Sequence, residues 1–235
     1  MELTEKETEV LDKVRRTGAV LLRRVIDECG PRVNWQRLFT EGWIQTYETV
    51  LGQVVTPTAK TRRAHPGTHY LTGPATVTDR AYQVEVAQVL KKEGFRPVGV
   101  EFKASRTTGR LTNIATRFVM EAPNRDDLIE EWSWQGEHHP RLGQPYLYAN
   151  ISGGGISPGR LRALLRVHRH DIDDWRSPLL VATPDPDRLR SVVRMVEVKA
   201  QRLDEEMEND QVLTTFTKHT SYGRVRLVTV PLTRS

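Results

Sequence analysis

The stretch PYLYANISGGGISPGRLRALLRVHRH, residues 145–170, concentrates residue types that could act on a phosphate. An apolar run meets Gly153, Gly154 and Gly155, and a helix signal then opens at Ser157-Pro158. Free backbone N–H groups and the helix dipole converge at such a turn, and anions bind there. A P-loop, however, ends in Gly-Lys-Ser/Thr, and GGGISPGR has neither the lysine nor the hydroxyl. The spacing also departs from the G-x-G-x-x-G of dinucleotide folds, so a strand-to-helix turn is the expected role, with Pro158 at the first helical position behind a Ser157 cap. In the helix that follows, Leu161, Leu164, Leu165 and Val167 would face a core. Arg162, Arg166, Arg169 and His170 recur at three and four and share the other side, a stripe of cations that could contact phosphate.

Other constellations are weaker. His168 and His170 are two apart on a helix and point to different faces. His138-His139 precede Pro140, and His65 and His69 flank the basic loop without the H-E-x-x-H of a zinc helix, so no metal or cofactor is expected. No G-x-S-x-G elbow occurs. Cys29 is the single cysteine, which excludes a disulfide framework and reads as a small buried residue in a reducing cytoplasm.

Charge is segregated. The net charge is +5 over 235 residues, yet residues 52–72 carry Lys60, Arg62 and Arg63 without an acid. Residues 158–170 carry four arginines without an acid, whereas EAPNRDDLIEE and RLDEEMEND are acidic blocks. Such patches suit a partner rich in phosphate. The charged opening MELTEKETEV is not a secretory signal, and no apolar run is long enough for a membrane span.

The elements that must carry these residues begin with a capping box, Thr4 and Glu7, opening a helix over about 5–16. AVLLRRVIDE reads as a second helix ending near Gly30, and Asn34 caps a third that ends at Gly42 or runs on through WIQTYETVL. QVVT and THYLT then read as strands on either side of the basic loop PTAKTRRAHPG. Three helices and two strands around a loop are the pattern of a winged helix over residues 1–76. On that expectation Asn34, Gln36, Arg37 and Thr40 present the third helix to double-stranded DNA. Lys60, Arg62, Arg63 and His65 on the wing would hold its backbone. Trp35, Leu38, Phe39 and Trp43 are expected in the core.

From 77 to 235 the texture is that of a mixed α/β domain, so the whole chain is expected to be α+β. A helix over about 77–94 has an apolar face at Ala81, Val84, Val86, Ala87 and Leu90. Strand-like runs PVGVEFKA, NIATRFVME, QPYLYANIS, PLLVATP, QVLTTFT and RVRLVTV surround helices at about 157–170 and 185–206. Leu189, Val192, Val193, Val196 and Leu203 form a stripe on the latter that could serve a homodimer or pack on the domain's own sheet.

This order of a winged helix, an arginine-rich helix, an apolar strand ending in proline and then DRLRSVV resembles the replication-relaxation family of plasmid and mobile-element proteins. The resemblance implies a second domain similar to the restriction-endonuclease fold. A working nuclease of that class needs an acid on one strand and E-x-K or D-x-K on the next, because Mg²⁺ takes carboxylate oxygens. At the matching strand this chain has Leu147, Tyr148, Ala149 and Asn150, and Asn113 and Glu121 are poorly placed. Glu197-Val198-Lys199 is E-x-K, but its surroundings have helical period. The expectation is a cytoplasmic, dimeric DNA-binding protein without catalysis. Two alternatives stay open: a nuclease using Glu121, Asp171, Asp173 or Asp174, and a protein-interaction module such as an antitoxin or inhibitor.

Overall fold

The computed structural model describes residues 3–30, 33–102, 116–121, 145–167, 179–195, 225–230 and 232. The fold is α+β, and its described residues fall into two units. Residues 3–85 with 149–155 and 232 make the first, and the remainder make the second, so the division passes between Glu85 and Val86.

Helix α1 (Glu5–Thr17) starts where the capping box said it would. The Thr4 amide donates to Glu7 Oε2 at 2.7 Å, and the Glu7 amide donates to Thr4 Oγ1 at 3.3 Å. Gly18 ends it at φ +84°, where a Cβ would lie 2.9 Å from the His69 carbonyl oxygen. Strand β1 (Val20–Leu21), α2 (Leu22–Cys29) and α3 (Trp35–Thr40) follow. Gly42, at φ +70°, lies beyond α3, and the WIQTYET segment that could have extended the helix is strand β2 (Ile44–Thr49) instead. Its β-branched and aromatic residues pair with β3 (Gly52–Pro57) from Ile44↔Pro57 to Thr49↔Gly52, with Val50-Leu51 at the turn. The sheet order is β1-β3-β2, all antiparallel. Val10, Leu11, Val14, Val25, Leu38 and Val55 are buried in one cluster at the centre of these elements.

The strand pair expected around a basic loop at 57–67 is not what forms. QVVT belongs to β3, but residues 59–64 are helix α4 (Ala59–Ala64) and no strand follows at THYLT. Threonine chemistry explains the difference. Thr58 is an N-cap, accepting from the Thr61 amide at 3.3 Å, and its own hydroxyl donates to the Gly42 carbonyl at 2.5 Å. The buried Thr61 hydroxyl donates to the Trp43 carbonyl. A polar segment that looks like loop punctuation is thereby stitched to the α3–β2 connection as a helical turn.

Helix α5 (Pro74–Lys92) buries Val77, Ala81, Tyr82, Val84, Val86, Ala87 and Leu90. In the second unit β4 (Arg96–Phe102), β5 (Thr116–Glu121), β6 (Tyr146–Ala149), β7 (Leu179–Thr183) and β8 (Val225–Thr229) form one sheet in chain order. β4–β5 and β5–β6 are antiparallel, and β7–β8 are parallel. Helix α6 (Pro158–Val167) lies in sequence between β6 and β7, and residues 187–195, helical and labelled α7, lie between β7 and β8. Leu161 and Leu164 of α6 share one cluster with Leu189, Val192 and Val193 of α7, against Tyr148, Leu179, Val181 and Val225. Leu179 and Val181 alternate along β7, so both helices cover the same face of the sheet. Leu189, Val192 and Val193 are therefore spent on the chain's own core and not on a dimer interface. Val196, Leu203, the QVLTTFT run and Glu197-Val198-Lys199 lie outside the described residues. No helix among the described residues is long and apolar enough to cross a membrane.

Candidate nucleic-acid interface

Helix α3 presents Asn34, Gln36 and Thr40 to solvent. Asn34 is the N-cap, its side-chain oxygen accepting from the Arg37 amide at 3.0 Å. Thr40 donates its hydroxyl back to the Gln36 carbonyl at 2.9 Å. Arg37, expected among the DNA contacts, is turned inward. Its Nη1 reaches Glu7 Oε2 at 3.0 Å and its Nε reaches Glu41 Oε1 at 2.7 Å. Glu7 is 1 % exposed, and its carboxylate needs that cation, because a buried carboxylate without one is costly. The Glu41 carboxylate, hydrogen-bonded to Arg37, raises the guanidinium pKa further, and the bonds from Arg37 and Trp43 hold the Glu41 carboxyl below its usual range. The cation of α3 is a brace between α1 and α3, not a hand held out to phosphate.

Helix α4 carries the cations that had been assigned to a loop. Lys60 donates to the Glu41 carbonyl at 2.6 Å and sits 3.9 Å above the Trp43 ring centroid. It caps the end of α3 while keeping its charge on the surface. Arg62 and Arg63 are exposed, with Arg62 lying 5.6 Å from the Tyr70 ring centroid. His65 is half-buried at the C-cap, its ring 6.2 Å from that of Trp43. The Lys60 bond brings the basic helix against the C-terminal end of α3, so exposed hydrogen-bonding groups and exposed cations adjoin each other. The β2–β3 hairpin contributes Thr46, Glu48 and Gln53 on its outside and Val50, 64 % exposed, at its tip, and none of these is a cation.

The glycine turn at 152–155 is anchored at its start by the protein's own carboxylate. Asp79 Oδ1 accepts from the Ile151 and Ser152 amides at 2.9 and 2.8 Å, and its Oδ2 accepts from the Ser152 hydroxyl at 2.7 Å. Asp79 thus takes two backbone donors where the turn begins. The Gln83 side chain, one turn along α5, donates to the Ala149 carbonyl at 3.2 Å. Sequence reading passed over Asp79 because its partners stand 72 and 73 positions away. It likewise passed over Arg80, which is 2 % exposed and whose pKa burial pushes down to about 10.

On α6 the Ser157 hydroxyl accepts from the Arg160 amide at 3.2 Å, as the expected cap. Arg162 and Arg166 are exposed, while Arg169 lies outside the described residues, as do His138, His139, His168, His170, Asp171, Asp173 and Asp174. Among the described residues no three of His, Cys, Asp and Glu gather as a metal site would require. Cys29 is buried, and burial raises its thiol pKa.

Compared with known protein families, with curated proteins and with solved structures, the chain has no match.

Proposed function

We propose that residues 3–72 act as a winged helix that docks on double-stranded DNA, in a protein of transcriptional or replication control without catalytic activity. The observation that carries the reading is topological. The order α1-β1-α2-α3-β2-β3, with β1 and β2 flanking β3 in one antiparallel sheet, is the plan of a winged helix. In that plan α3 enters the major groove and the β2–β3 hairpin is the wing. Asn34, Gln36 and Thr40 are then the groups that meet base edges. Lys60, Arg62, Arg63 and His65 hold the adjoining backbone from α4 rather than from the wing. The resemblance to the replication-relaxation family extends the proposal to the cytoplasm and to a plasmid, phage or other mobile element. A homodimer on a two-fold operator is the natural form of such a regulator.

The test is fluorescence anisotropy of the full chain on duplex DNA across a salt series. Arg62→Ala with Arg63→Ala should weaken binding on every sequence and flatten the slope of log affinity against log salt by about 2, one phosphate contact each. Gln36→Ala should leave that slope alone and broaden the sequences recovered from a random-duplex selection. A wild-type chain that binds no duplex at low salt removes the proposal.

A further inference from the structure

Arginines that no acid answers stand on both units, and those of the second unit point to a further surface. In the first unit Arg15 is answered by Asp12 at 2.6 Å, Arg24 by Glu85 at 2.5 Å, and Arg37 by Glu7 and Glu41. Arg62 and Arg63 of the first unit are exposed without such an acid, and in the helical layer of the second unit open arginines predominate. Arg162 and Arg166 of α6, and Arg188 and Arg194 of α7, are exposed. Their side chains enter no hydrogen bond or ion pair among the described residues. Among the described residues of this layer only Arg190 is paired with an acid, Asp187 at 2.8 Å. Helix α6 contains no acid, and the acids near α7, Asp185 and Asp187, sit at its start.

The layer's geometry makes these cations one surface. Leu161 and Leu164 from α6, and Leu189, Val192 and Val193 from α7, are buried in a single cluster on one face of the sheet. Residues opposite the buried ones on each helix must then face the same solvent. Arg162 and Arg166, four apart, stand on the outer side of α6, and Arg188 and Arg194 lie on the outer arc of α7. Four like charges on one layer, none of them in an ion pair among the described residues, repel one another, a cost that a polyanion removes. Guanidinium groups fork onto phosphate oxygens, and their spread over two helices fits the repeating charge of a nucleic-acid backbone better than a single anion.

We infer that the outer face of α6 and α7 is a second, sequence-independent contact for a nucleic-acid backbone. It goes beyond the winged-helix reading, since it needs no base contact and no part of the first unit. The test uses the full chain, a random-sequence duplex and fluorescein-labelled polyglutamate as the acidic-protein surrogate. One variant carries Arg162→Gln, Arg166→Gln, Arg188→Gln and Arg194→Gln. A charge-matched control carries Lys6→Gln, Arg16→Gln, Lys91→Gln and Lys92→Gln, all exposed positions. The expected result is a salt slope on the duplex reduced by about 3 in the first variant and by less than 1 in the control, with circular dichroism unchanged in both. An unchanged slope in the first variant, or an equal loss in the control, overturns the inference. So does wild-type binding to polyglutamate that rivals the duplex and is lost in the first variant, which would make an acidic protein the partner. If the first variant keeps the wild-type slope while Arg62→Ala with Arg63→Ala loses it, the second surface alone fails. If the wild-type chain binds no duplex, both proposals fail together.

Discussion

Arg37 and Arg162 have the same side chain, both on helices with basic character, and only one of them is available to a ligand. The difference is Glu7, thirty positions before Arg37, whose buried carboxylate closes the capping box of α1 and accepts the guanidinium of α3 at the same time. Glu7→Ala is expected to lower stability by at least the roughly 1 kcal/mol of a lost cap, and by more because Arg37 then loses its buried counter-charge. Urea denaturation reads the change. Arg37→Ala should also lower the urea midpoint, yet leave the salt slope of DNA binding where it was, since the guanidinium does not meet phosphate. His69 provides a pH handle of defined sign. Burial first, and the positive charge of Arg80 second, hold its pKa below the ordinary 6.5. The unfolded chain therefore binds the proton more readily. This histidine's contribution is complete above pH 6.5 and is lost as the pH falls toward and through the depressed folded value. His69→Gln should flatten the acid side of a stability–pH profile taken from about pH 7 to 5, and an unaltered profile would show that other groups set the slope.

At the scale of elements, the junctions decide more than the elements do. A β-prone run at 44–49 is strand only because Gly42 stops α3 and β3 offers a partner in register. The basic run at 59–64 is helix because Thr58 and Thr61 reach back to the Gly42 and Trp43 carbonyls. The turn at 151–154 is held by Asp79 from α5. Asp79→Asn removes the charge from three hydrogen bonds and should cost about 2 kcal/mol. It should also speed amide exchange at Ile151 and Ser152, and wild-type exchange rates there would mean that the turn stands without the carboxylate. Gly18 is a junction of the same kind. Alanine there must hold φ +84° and meet the His69 carbonyl at 2.9 Å, so Gly18→Ala should lower the melting temperature by several degrees in calorimetry.

At the scale of the whole molecule, each unit is assembled from segments that are not neighbours in sequence. Residues 149–155 belong with residues 3–85, and α5 passes through the division between Glu85 and Val86. A fragment ending at residue 85 would leave Asp79 and Gln83 without their partners and lose the segment that meets them. Its melting transition should fall below that of the same unit in the full chain, and equal transitions would show that 149–155 adds nothing. Much of this fold was legible beforehand. The capping box, the Asn34 and Ser157 caps, the apolar face of α5 and most strands of the second sheet are signals confined to one turn of helix or to a period of two. Helix α4 was not legible, nor was the inward turn of Arg37, nor the hold of Asp79 on Ile151 and Ser152. The sequence by itself settled the α+β class, the positions of the caps and the segregation of charge, because each depends on residues within a few positions of one another. Tertiary structure decided which cations are answered and which stand open, because an ion pair depends on where a distant acid arrives, and no local pattern encodes a partner 30 or 72 residues away.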